Sequence, residues 1–344
     1  MNNTLRWLPS GRTLMIGLPI GLAVMVVLTV LLRTSASGAS VGWVLVCSRE
    51  SVPAPTFPKV LTTFAIEPIP VFLLFWVAMG YLICFRTVRR RASSRRFSGW
   101  RAVSFLVGIL LVLGTVFGPL SAYDGTFLSI HMIQHFILIT IAPPLLLAGA
   151  PLTLFLITIG KKARERTVYP ITHSGPFHAI THPIVGVALF LLVPAAWYVT
   201  PAFRLALDHE WLHWFAYVLF LFAGIHYWWP VVGANPTRWN LPHPVRVMYL
   251  FALVPIHAFL GILFYSPERV LYPELSEVAR TWGPSPLLDQ QFAGMLMMVL
   301  GELIGLIALL VAANEWANAD QRQATRYDRA AHRRPAPENP RETS

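Results

Sequence analysis

The sequence predicts an all-α fold: a polytopic transmembrane helical bundle of about eight helices, one N-terminal helix followed by a seven-helix core. Three observations carry this class. Of 344 residues, 55% are hydrophobic and only 12% charged, with mean hydropathy +0.57; a soluble domain carries about 25% charged residues. Apolar runs of the roughly 20 residues needed to cross a bilayer recur along the chain. Basic residues collect in some connections and avoid others, as in a membrane protein oriented by its loops.

The runs fall at 14–32, 67–85, 102–120, 126–143, 184–200, 209–229, 246–265 and 289–313. Between the first and second lies a Ser- and Pro-rich stretch, 33–66, without helical periodicity. The expected organisation is therefore an N-terminal helix and outer linker (1–66), a seven-helix core (67–313) and a basic cytoplasmic tail (314–344). The first run also has features of a cleaved leader, with Arg6 and Arg12 before it and Ser35-Ala36-Ser37-Gly38-Ala39 after it. Its length favours a retained helix. Residues 144–160 are apolar too, but a straight helix over 126–160 would be about 50 Å long at 1.5 Å per residue. Pro143-Pro144 is expected to interrupt it, because proline lacks an N–H and crowds the preceding turn, leaving the remainder near the inner interface.

Charge sets the orientation. The loop from Arg86 to Arg101, the loop from Lys161 to Arg166, the tail from Arg322 onward, and Arg6, Arg12, Arg238 and Arg246 hold 21 of the 27 Lys and Arg residues. The positive-inside rule places them, and both termini, in the cytoplasm of a bacterial inner membrane. The pI of about 10.2 thus reflects topology. Attraction to anionic membrane lipid follows; nucleic-acid binding does not. Cys47 and Cys84 form no CxxC and fall on opposite sides, so no internal disulfide is expected. No phosphate-binding glycine loop and no H-E-x-x-H motif is present.

The polar residues inside the spans carry the functional signal. His131 and His135 lie near the outer end of the fourth helix, one turn apart and so on one face. His209 and His213, in HEWLH, offer a second such pair at the outer end of the sixth helix. The eighth helix opens with Asp289-Gln290, and Met295, Met297 and Met298 follow. Imidazole and thioether together suit copper, and thioether favours Cu(I). The competing reading is packing. Buried histidines hydrogen-bond neighbouring helices, His209 can sit in the interface beside Trp211 and Trp214, and Met298 falls on a stripe with Gly294, Gly301 and Gly305 that allows close helix approach. Glu302, about 20 Å below Asp289 by helix rise, is expected to hydrogen-bond within the bundle as the neutral acid, since burial raises a carboxyl pKa.

The segment HMIQHFILITIAPPLLLAGAP resembles the signature of the polytopic CtaG family, assembly factors for caa(3)-type cytochrome c oxidase. EPIP (Glu67 to Pro70), HPIVGVALF from His182, LHWFAYVLFLFAGIHYWWP and DQQFAGMLMM follow the same order. The resemblance covers about 67–313. It implies a seven-helix core that helps build cytochrome c oxidase and plausibly handles copper for it, without enzymatic turnover. By motif match, His131, His135, Asp289, Gln290, Gly294 and Met297 carry over. Where the pattern has a second His one turn after His213, this chain has Tyr217, so the sixth helix contributes His213 alone unless His209 compensates. The expected site is His131, His135, His213, His209, Met297 and Met298, with Asp289 orienting an imidazole. A bis-histidine b-type haem carrier and a metal transporter are the rival classes.

Overall fold

The structure is a computed structural model. It describes residues 68–90, 97–237, 239, 241–276 and 281–332, with 21, 23–24, 27, 43–44, 54–57 and 64–65. Among these, everything regular is helical except a two-residue parallel pairing of Trp43–Val44 with Phe64–Ala65. Six helices are long and apolar enough to cross a membrane, and a seventh results if Pro183–Val199 and Ala202–Asp208, bent by 64°, form one span. These seven match the expected core runs in order. The expected first span, 14–32, lies largely outside the described residues, as does most of the linker, including Cys47; Cys84 is a free thiol.

Helix α1 (Pro68–Arg90) packs on α2 (Gly99–Val116), which starts at a Ser98 side-chain cap. Tyr81 stacks on Phe105 at 3.9 Å and donates its hydroxyl to Gly149 O at 2.8 Å. After α3 (Pro119–Tyr123), α4 (Leu128–Phe136) runs into a π turn (Ile137–Ile141), α5 (Ala142–Ala148) and α6 (Pro151–Thr158).

The expected interruption at Pro143-Pro144 does not occur. Both prolines follow the π turn, where the hydrogen-bond ladder is already shifted. The π turn shifts the ladder by one residue, so that Ala142 N–H donates to Ile137 O. Ile139 O, which would face the Pro143 nitrogen in an α-helix, is approached by Gly224 of the neighbouring span; a Cβ there would collide with that oxygen and with the Pro143 ring. The break comes later, at Ala150, whose φ of 50° is left-handed. Asn235 closes it: its Oδ1 accepts from Leu152 N at 3.1 Å and its Nδ2 donates to Leu147 O at 3.1 Å.

Helix α7 (Pro183–Val199) ends where Thr200, preceding Pro201, is forced into extended backbone. The short α8 (Ala202–Asp208) then turns across the bundle end and leads into α9 (Glu210–Val232). Helices α10 (His243–Phe251) and α11 (Leu253–Tyr265) make one span. The last helix, α12 (Pro286–His332), runs 47 residues, well past the apolar stretch that ends near 313. Gly294, Gly301 and Gly305 face α11, where added methyl groups would meet Gly261, His257 and Val254, the close approach that small residues permit. Glu302 does not enter the bundle as expected. One residue beyond Gly301, and so about 100° round the helix, it is exposed on the flank of the stripe that packs on α11.

Candidate metal centre

Two helices supply the site. On α4, His131 and His135 stand one turn apart with ring centroids 4.3 Å apart. From α9, His213 lies parallel to His131 at 5.1 Å. His131 and His213 are 0% exposed and His135 2%. One ring nitrogen from each can be chosen so that all three lie within 4.8 Å of one another.

The surroundings are aromatic. Phe203 of α8 packs against His131 and Phe220 of α9 against His135, with centroids 4.7 and 4.1 Å away. Tyr198 adds the polar contact: its hydroxyl is 2.8 Å from His135 Nδ1. With that nitrogen as the donor, Nε2 keeps its lone pair for a metal. Tyr198 is held in turn by Tyr272, whose hydroxyl donates to Tyr198 O at 2.7 Å. Burial pushes the Tyr272 hydroxyl above its usual pKa, against the opposing influence of Arg204, so it remains a donor.

Both nitrogens of His131 and Nε2 of His135 are buried without a hydrogen-bond partner among the described residues. Leaving such a group unsatisfied costs about 1–3 kcal/mol, and native structures rarely tolerate it without a reason. The three rings lie close enough for one nitrogen of each to serve a single soft or borderline metal ion. On the α12 side, Met297 is buried and shares with His135 and His257 the wall of a cavity of about 10 Å³, about the room one water requires. The residues fit a small cation.

The other expected site residues lie elsewhere. His209 is the exposed residue before α9 and stands outside the cluster, because α9 begins only at Glu210 and His209 does not continue its face. Met298 packs on Gly261 of α11. Asp289 reaches the start of α4: Leu128 N–H donates to its Oδ2 at 2.7 Å, and the Ser129 hydroxyl donates to its Oδ1. It anchors the helix that bears two of the three histidines. Gln290 closes the preceding loop, accepting from Leu271 N at 2.7 Å and donating to Phe264 O at 3.2 Å. Tyr217 donates to the fully buried Asp124 at 3.1 Å and packs on His213 at 4.4 Å.

Sequence reasoning missed three of these neighbours. Tyr198 and Phe203 sit among interfacial aromatics without a distinguishing pattern. Asp124 had a signal, a carboxylate beside a span, that went unread.

The family of cytochrome c oxidase caa3 assembly factors, Caa3_CtaG, matches residues 79–319. This chain belongs to that family. The match encloses all three histidines of the CtaG-family chain and the aromatic residues around them. An uncharacterized protein of Mycobacterium bovis is 30% identical to it over 301 residues, and one of Mycobacterium leprae 27% over 296. These alignments cover 85% and 84% of the CtaG-family chain but only 45% of either relative, so it spans about half the length of the curated relatives it matches. No solved structure matches it.

Proposed function

We propose that this chain assists assembly of a cytochrome c oxidase in the bacterial cytoplasmic membrane by holding a copper ion at His131, His135 and His213 and passing it to an oxidase subunit. The observation that carries the reading is the imidazole cluster: three buried rings close enough to share one ion, with both nitrogens of His131 and Nε2 of His135 lacking a hydrogen-bond partner among the described residues. Copper here is cargo. Three imidazoles beside a thioether favour Cu(I), and Met297 supplies that thioether one helix away. The basic loops argue for cytoplasmic termini, which puts the histidines toward the outer surface. A haem carrier is disfavoured, since the cavity beside His135 has room for about one water.

Deletion of the gene tests this reading. Active terminal oxidase and its copper content should fall while haem synthesis continues. Wild-type protein should restore both, and a His131→Ala variant should not. Normal oxidase in a strain lacking any paralogue would remove the assembly role.

A further inference from the structure

We infer that the lipid-facing stripe of α12 around Glu302 docks a transmembrane helix of a partner protein, one that presents a hydrogen-bond donor at the middle of the bilayer.

Depth is fixed by two other acidic residues on the same helix. Asp289 anchors the first turn of α4 at one end of the bundle. Glu315 pairs with Arg246 at 2.6 Å, near the start of α10, at the other. Glu302 stands thirteen residues from each, about 20 Å either way at 1.5 Å per residue. A hydrocarbon layer of about 30 Å is therefore centred close to it.

Glu302 is also exposed, at the flank of its own bundle. Its neighbour Gly301 abuts His257, while Glu302 is exposed and forms no hydrogen bond or ion pair among the described residues. Around it, Met295, Val299, Leu303, Leu306 and Leu310 are all exposed, at the three- and four-residue spacing of a single helical face. Such a ridge is compatible with lipid alone; the carboxyl along its flank is not. Ionisable groups in the bilayer interior normally face protein or water and are paired.

The occupant follows from complementarity. Glu302 is an acceptor when ionised and a weak acid when not. Its match is an apolar helix bearing one donor, such as Arg, Lys, His, Asn, Gln, Ser or Thr, opposite it. A second copy in face-to-face contact would set carboxyl against carboxyl, which cannot both ionise. The inference is independent of the metal reading.

The test places p-benzoylphenylalanine at Val299 and irradiates native membranes. The expected adduct joins this chain to a membrane-spanning segment of another protein, and mass spectrometry of the linked peptide should find a donor side chain within a turn of the linkage. Glu302→Leu should lower the yield about tenfold, in the range of one interhelical hydrogen bond. Glu302→Gln, which keeps an acceptor oxygen, should retain it. Purified Glu302→Leu protein should melt at the wild-type temperature. Adducts only to a second copy or only to lipid, a linked segment without a donor, a yield indifferent to Glu302→Leu, or earlier melting of that variant would each overturn the proposal.

Discussion

Asp289 and Leu128, 161 positions apart in the chain, meet at 2.7 Å, where the carboxylate accepts a backbone N–H from the first turn of the helix that carries His131 and His135. A charged acceptor satisfies one of the donors every helix N-terminus leaves open and favours the positive end of the helix dipole. The position of the histidine pair is thereby tied to α12.

Asp289→Ala should therefore act on both stability and the site. Losing hydrogen bonds to a charged group costs about 1.5–3 kcal/mol, to be read as a lower melting temperature in detergent. Metal affinity should fall about 10–100-fold, the range for groups that orient ligands from behind. Asp289→Asn, which keeps one acceptor oxygen, should fall between. Unchanged melting and binding in Asp289→Ala would remove the anchoring role.

Gly224 tests the π turn. A methyl group there meets Ile139 O and the Pro143 ring, neither of which can swing aside as a flexible side chain would. Gly224→Ala should destabilise by about 1–3 kcal/mol. Gly114→Ala is the control: nothing lies within 4 Å of its Cβ position, and Ala in a helix interior gains about 0.5–1 kcal/mol over Gly. The two variants should move the melting temperature in opposite directions.

The span order and the two helices bearing the histidines were legible in the sequence because apolar runs and i, i+4 spacing report helix faces directly. His209 was misread because a helix start is uncertain by a residue or two, and one residue decides whether a side chain shares the face of His213. Asp289 was placed at the right end of the bundle, yet spacing within α12 could not disclose that its carboxylate reaches the start of α4. Glu302 was assigned to the interior on polarity alone. Spacing puts it on the flank of the glycine stripe, and that position alone does not tell burial from exposure. Pro143-Pro144 looked like a break because a single-residue shift of the hydrogen-bond ladder leaves no trace in composition.

Tyr198 separates ligand tuning from packing. Tyr198→Phe keeps the ring against Phe203 and removes the hydroxyl beside His135 Nδ1. Copper affinity should drop about 10–100-fold, while melting of the metal-free protein changes by no more than the ~0.5–1.5 kcal/mol of one neutral hydrogen bond. Equal affinity in the two proteins would show that the hydroxyl does not orient a ligand.

Topology is checked by fusions after Arg322. The basic loops predict that a fluorescent protein there glows and a phosphatase stays inactive. A strongly active phosphatase would reverse the orientation and move the histidines to the cytoplasmic half.

Anaerobic Cu(I) loading of the purified protein, followed by metal analysis, tests the central claim most directly. Wild-type protein should retain about one copper per chain after desalting. His131→Ala, His135→Ala and His213→Ala should each lose most of it while remaining folded, and His209→Ala should bind as wild type does. A wild-type protein that stays copper-free while His131→Ala melts earlier would contradict the account and leave the three histidines a packing role.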